Sequence, residues 1–151
     1  MVTEIRGDQT PDDSLGQWIE LYNASGQEQD LAGLVLIVRS LDGAKTARLI
    51  VRDHDLAVAA GAYVVLGEGL PGEEPPFQDF GWGVDLDGDL FDAAVLEVEA
   101  CGTMVDRTLW RNLPDSGTWQ LSAGLPPNSA QNDEEARELL KLMGMPFAEG
   151  K

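Results

Sequence analysis

WIELYN, at residues 18–23, alternates between the two faces of an extended chain. Its apolar residues Ile19 and Leu21 share one face, and the residues beside them share the other. An alternation of period two is typical of a β-strand with one buried face. Asn23, followed by Ser25 and Gly26, supplies residues that favour a turn. This segment therefore predicts a short strand that ends at residue 23.

Similar apolar segments recur along the 151-residue chain, and Gly, Pro, Asn and Asp separate them. Two hairpins are expected, one turning at Asp42 and Gly43 and the other at Cys101 and Gly102. Short strands with a turn every roughly 8–12 residues are typical of a sandwich or a barrel. The sequence thus predicts an all-β fold. Its expected strands lie at 2–6, 18–23, 34–40, 47–52, 62–67, 93–100, 103–110 and 118–122.

The net charge of −17, from 27 acidic and 10 basic residues, narrows the classes of partner. Proteins that bind nucleic acids draw most of their affinity from basic groups that neutralise phosphates, and such groups are scarce here. Anionic membranes are disfavoured for the same reason. No apolar run approaches the roughly 18 residues of a membrane span. We expect neither nucleic-acid binding nor membrane insertion; the acidity suits solubility alone, a divalent cation or a basic partner.

The sequence lacks the usual signatures of an enzyme. His54 is the only histidine, in the polar segment VRDHDL, and Cys101 is the only cysteine. Nucleophilic catalysis needs a His or an equivalent base near a Ser or Cys, and the segment of His54 is typical of a polar loop between strands. A structural zinc site needs several Cys and His ligands, and no phosphate-binding or GxSxG motif is present. We therefore expect no catalytic residues. Cys101 is expected to be a buried, inert thiol, although a disulfide to a residue outside this chain stays open.

One segment carries candidate metal ligands. DLDGDLFD, at residues 85–92, places Asp85, Asp87 and Asp89 at alternate positions, and their carboxylates converge if the chain bends at Gly88. Hard cations such as Ca²⁺ prefer clusters of oxygen ligands. The alternative is a solvated turn that leads into the next strand. Calcium is the only cofactor that the sequence suggests, and otherwise we expect none.

A long irregular segment at 69–83 carries three aromatic residues, Phe77, Phe80 and Trp82, close to two prolines. Loops on rigid scaffolds often carry recognition, and exposed aromatic side chains are effective anchors for a partner. We predict that these three residues bind a partner. In the alternative, they fold back and cover the open end of the sandwich.

The C-terminal part of the chain changes character. We expect a β-rich domain at 1–125 and an extension at 126–151 that contains an amphipathic helix at 133–143. Asn132 is a suitable helix N-cap, with Glu135 at the capping-box position. An apolar stripe of period 3.6 follows, and it docks either on the sandwich or on a partner. The stripe consists of Ala136, Leu139, Leu140 and Met143.

Three segments in this order resemble the lamin-tail domain: WIELYN at 18–23, DLAGLVL at 30–36 and GAYVVLG at 61–67. GTMVD at 102–106 and GTWQL at 117–121 fit the last strands of that family. One departure is Leu34, where the family commonly has Trp. The resemblance implies an immunoglobulin-like β-sandwich. In bacterial members it implies a secreted, periplasmic or cell-surface accessory domain, whereas the acidity argues against the chromatin partners of nuclear lamins.

Together these observations lead to two functional hypotheses. The first is a non-enzymatic binding or scaffolding module that contacts a protein partner through the loop at 69–83 and exposed sheet edges. The second is a calcium-stabilised module that binds carbohydrate or cell-wall polymer through Trp82 and the three aspartates Asp85, Asp87 and Asp89. Both are binding functions, and neither requires catalysis.

Overall fold

A computed structural model describes residues 1–9, 15–70, 72–86 and 90–120. Over these residues the protein is all-β, with a single 3₁₀ turn at Gly83–Asp85. The strands are β1 (Val2–Arg6), β2 (Trp18–Tyr22), β3 (Gln29–Asp30), β4 (Val35–Ser40), β5 (Thr46–Ile50), β6 (Ala57–Val58), β7 (Tyr63–Gly67), β8 (Phe80–Gly81), β9 (Ala94–Ala100), β10 (Thr103–Trp110) and β11 (Trp119–Gln120).

The strands form two larger sheets and one small one. The first sheet has the order β11-β1-β2-β7-β8, the second has the order β10-β9-β4-β5, and β3 pairs with β6. Every pairing is antiparallel except that of β7 with β8, which is parallel. Each larger sheet ends in two edge strands, so neither closes into a barrel.

Alternate side chains from both larger sheets meet in one hydrophobic core. Ile19 and Leu21 of β2 are buried there, which confirms the face that the alternation in WIELYN predicts. Leu36 of β4 and Leu96 of β9 enter the same core from the second sheet. Burying each such side chain contributes roughly 1.5–3 kcal/mol relative to exposure. Two sheets that share one core are consistent with a β-sandwich.

The long strands lie close to their predicted positions, and both expected hairpins are present. The sequence did not predict β3, β6 or β8. Each of them has only two residues, which is too short for any periodicity to be visible. The predicted extension at 126–151 and its helix at 133–143 lie outside the described residues. Within the described ranges, no helix is long and apolar enough to cross a membrane.

The turn between β9 and β10 corrects the expectation for Cys101, whose thiol is exposed and not buried. Cys101 and Gly102 both have positive φ, 51° and 74°. Positive φ at both central residues is the requirement of a tight two-residue hairpin turn whose twist matches that of the strands. The turn projects beyond the sheet and therefore carries Cys101 away from the core.

Candidate functional site

The segment at 69–83 is fixed to the end of the first sheet. Asp79 N–H donates to Val65 O at 2.9 Å, and Trp82 N–H donates to Gly67 O at 2.8 Å. The carboxylate of Asp79 returns to β7 by accepting a hydrogen bond from Val65 N–H at 2.8 Å. These bonds surround the short parallel strand β8. The predicted loop is therefore a structured extension of the sheet along much of its length.

The three aromatic residues of this segment have different environments. Phe80 is 5% exposed and Trp82 is 3% exposed, and both belong to the hydrophobic core. Phe77 is 38% exposed. The expectation that all three contact a partner assumed exposed side chains, and the structure places two of them in the core. Phe77 is thus the one member of the predicted set whose ring is available to a partner.

Close approach between backbone segments is built into the same region. A Cβ atom added to Gly81 would lie 2.1 Å from the carbonyl oxygen of Gly69, so only glycine fits at position 81. The buried side chain of Gln78 packs against Gly67, and its Oε1 accepts a hydrogen bond from Gly69 N–H at 3.3 Å. Glycines in this segment therefore let two stretches of backbone and one amide side chain pack in contact.

Glu74 ties the outer part of the segment together. Its carboxylate accepts hydrogen bonds from Gly72 N–H at 2.9 Å and from Gly81 N–H at 3.3 Å. Hydrogen bonds from backbone amides, including its own, lower the pKa of the Glu74 carboxyl. The carboxylate consequently stays ionised and holds the turn at residue 72 against β8.

Exposed apolar side chains occur in two chain segments at this end of the first sheet. Leu70 is 52% exposed and stands in the same segment as Phe77. Leu15 is also exposed; its neighbour Gly16 packs against the side chain of Glu68, directly after β7. We call Leu15, Leu70 and Phe77 the loop surface. The two leucines were missed from the sequence because each stands alone in a segment without periodicity.

A groove of about 1100 Å³ lies between the β4–β5 hairpin and the segment that leads into β9. Ala47 of β5 lines one side, and Leu86, Leu90 and Phe91 line the other. Lys45 stands at one end with its Nζ 5.8 Å from the centre of the Phe91 ring. The groove shares no lining residue with the loop surface, and it lies beside the first two residues of β5, Thr46 and Ala47.

Asp85, one of the three predicted calcium ligands, forms part of the groove wall. Its Oδ2 accepts hydrogen bonds from Ile50 N–H at 2.8 Å and from the Arg52 guanidinium at 2.6 Å. Burial acts to raise the pKa of Asp85, but these two hydrogen bonds and the positive charge of Arg52 together outweigh burial and lower the pKa overall. This carboxylate is ionised and already engaged with protein donors.

Asp87 and Asp89 lie outside the described residues. Among the residues that the structure does describe, no group of three or more His, Cys, Asp or Glu side chains is placed to hold a metal ion. Calcium binding at this segment stays a prediction. His54 lies exposed in the connection between β5 and β6, as its polar surroundings in the sequence indicate.

Comparison with known proteins adds no assignment. No model of a protein family matches the chain, and no curated protein matches it significantly.

Proposed function

We propose that this protein is a non-enzymatic binding module of the lamin-tail type that contacts a protein partner through its loop surface. The observation that carries this proposal is the contrast within the segment at 69–83. Phe80 and Trp82 are buried and anchor the segment, whereas Leu70 and Phe77 remain exposed on its outside. A fixed backbone that presents apolar side chains loses little conformational entropy when a partner binds.

The lamin-tail and immunoglobulin-like part of the proposal rests on the resemblance in sequence, whose segments fall on strands of both larger sheets. Two of the segments that carry the resemblance, 18–23 and 61–67, contain β2 and β7, which pair directly from Trp18 with Gly67 to Tyr22 with Tyr63. The third, 30–36, leads into β4 at the centre of the other sheet. The proposal includes two further points that rest on the sequence alone. They are a secreted, periplasmic or cell-surface location and a short C-terminal helix.

The charge around the loop surface indicates the chemistry of the partner. Glu68, Glu73 and Asp79 are exposed beside it, in a chain of net charge −17. Interfaces typically have an apolar centre and a polar rim, and complementary charge on the rim speeds association and excludes wrong partners. The proposed partner therefore presents an apolar patch surrounded by basic residues.

The competing hypothesis, a calcium-stabilised module for carbohydrate or cell-wall polymer, has less support. Trp82, its aromatic platform, is buried. Asp85, one of its ligands, already accepts hydrogen bonds from Arg52 and Ile50. We therefore favour the protein partner.

The immobilised 151-residue chain should capture a partner from the secreted and surface proteins of its source, and Leu70→Ser with Phe77→Ser should abolish the capture. Truncation of apolar anchors at the centre of an interface costs about 2 kcal/mol or more, roughly 30-fold in affinity. The matched control is Met104→Ser with Val105→Ser, because those side chains are at least as exposed and lie beside the β9–β10 turn, away from the loop surface. Purified partner is then titrated by calorimetry.

The proposal predicts that the control binds like the original protein and that circular-dichroism spectra of all variants coincide. A partner that binds the loop variant normally but loses affinity for the control would contradict it. So would turnover in a hydrolase screen that is abolished by His54→Ala, because the module is proposed to have no catalytic residue.

A further inference from the structure

The outer edge of β5 has backbone groups that point away from its sheet. Ser40 N–H donates to Lys45 O, and Val51 N–H donates to Leu34 O, so the odd-numbered residues of this stretch bond towards β4. In an antiparallel pair, successive residues direct their backbone groups to opposite sides. Thr46, Arg48 and Ile50 therefore direct N–H and C=O outward.

Only at the Ile50 end of β5 do these outward backbone groups have hydrogen-bond partners among the described residues. At Ile50, the N–H donates to Asp85, and the C=O accepts from Arg52 Nη1 at 3.2 Å. At Thr46 and Arg48, no hydrogen-bond partner for the outward groups is found within the described residues. Two donors and two acceptors, spaced as in a β-ladder, are thus available to another strand.

The groove lies beside the Thr46 end of this available edge. In an added strand, successive side chains would point alternately to the outer face of the sheet and into the groove. On the groove side, the accessible apolar residues are the exposed Leu41 and the half-buried Phe91, which lie over the buried Leu86 and Leu90. The outer side offers Arg48, which is exposed and has no ion pair among the described residues. An added strand would therefore meet an apolar site and a basic site at alternate positions.

The charge of this edge differs from that of the rest of the chain. Lys45, Arg48 and Arg52 lie within eight consecutive positions and supply three of the ten basic residues in a chain of net charge −17. Arg52 is paired with Asp85, whereas Asp42 and Asp92 line the groove at the Lys45 end. Arg48, in the middle of the edge, carries a positive charge with no ion pair among the described residues, and at physiological salt its field acts over about 8 Å.

We propose that β5 accepts an extended segment of a partner protein as an additional strand, with an acidic residue opposite Arg48 and, next to it and opposite Ala47, an apolar residue in the groove. Strand addition at an exposed edge combines main-chain hydrogen bonds with pockets for alternate side chains. A second copy of this chain fits less well, because pairing two β5 edges through Thr46 and Arg48 brings two guanidinium groups to neighbouring positions on one face. This site is distinct from the loop surface.

The test uses the full ¹⁵N-labelled chain and the blocked peptide acetyl-Thr-Val-Glu-Val-Thr-amide, followed by NMR. We expect the largest amide shifts at Thr46 and Arg48, and binding at least about tenfold weaker when Lys replaces the Glu of the peptide. Arg48→Glu should reverse this preference. Thr46→Pro should weaken binding of both peptides, because it removes one outward donor while proline at an edge position leaves the bonds to β4 intact.

Arg111→Glu is the matched control, since it removes an exposed positive charge far along the sequence from β5, and it should leave the peptide preference unchanged. Leu70→Ser with Phe77→Ser should also leave it unchanged, so failure of this site and failure of the loop surface are distinguishable. The inference is overturned if the shifts centre on the loop surface, if the Glu and Lys peptides bind equally, or if Arg48→Glu chiefly causes self-association.

Discussion

Trp82→Ala is expected to lower the free energy of unfolding by about 3–5 kcal/mol, the usual cost of removing a large buried aromatic side chain. Its indole borders the same internal space as Leu36 and Leu49 of the second sheet and Leu66 of the first. Removal of the ring therefore leaves a cavity between the two sheets. Equilibrium unfolding in urea measures the loss, with the midpoint and the slope reported separately.

Phe77→Ala is the control for this prediction, because it truncates an aromatic residue of the same segment whose ring is exposed. Because part of the ring is covered, we expect a loss of about 1 kcal/mol or less, well below that of Trp82→Ala. Similar losses for the two variants would mean that Trp82 does not help to join the sheets. The contrast also separates anchoring from recognition, since only Phe77 belongs to the loop surface.

Gly81→Ala is expected to be the most damaging single-methyl change in the described part of the chain. The new methyl group would overlap the backbone of Gly69, which cannot move away as a flexible side chain could. Overpacking typically lowers the free energy of unfolding by about 1–3 kcal/mol. Because the clash would also push β8 away from β7, we expect a loss at the upper end of this range, about 3 kcal/mol. Thermal unfolding followed by circular dichroism gives the loss.

Gly26→Ala is the matched control for that substitution. A methyl group at Gly26 meets no atom within 4 Å, and Gly26 is not among the glycines of positive φ. We expect no loss of stability beyond about 0.5 kcal/mol. If Gly81→Ala were tolerated as well as Gly26→Ala, the backbone of the segment at 69–83 would have to lie farther from β7 than described here.

Much of the sheet structure follows from local patterns. In WIELYN, the period of two by itself identifies Ile19 and Leu21 as core residues, because successive side chains of a strand point to opposite faces. The pairing of β2 with β7, however, joins residues more than forty positions apart in the sequence. Such pairings are fixed by the packing of the whole domain, so local pattern does not reveal which strands become edges.

The candidate sites could not be predicted in full, because they depend on which distant strands pair. Phe77, Phe80 and Trp82 have the same setting in the sequence, yet β8 pairs with β7 and carries the last two towards the core. No local signal separates Phe77 from Phe80, because a two-residue strand has no visible period. The edge of β5 could not be predicted for the same reason. Nothing in the sequence near Arg48 indicates that β5 is an edge strand, and only the strand order, with β4 between β5 and β9, shows it.

Native-state hydrogen exchange by NMR tests the central claim, that the segment at 69–83 is a fixed part of the sandwich which holds the loop surface in place. The amides of Asp79 and Trp82 donate to β7, and we expect them to exchange as slowly as the amides of Ile19 and Leu66. Exchange at all four positions should then require global unfolding. Exchange of Asp79 and Trp82 at the rate of an unprotected chain, with β2 and β7 still protected, would contradict the claim.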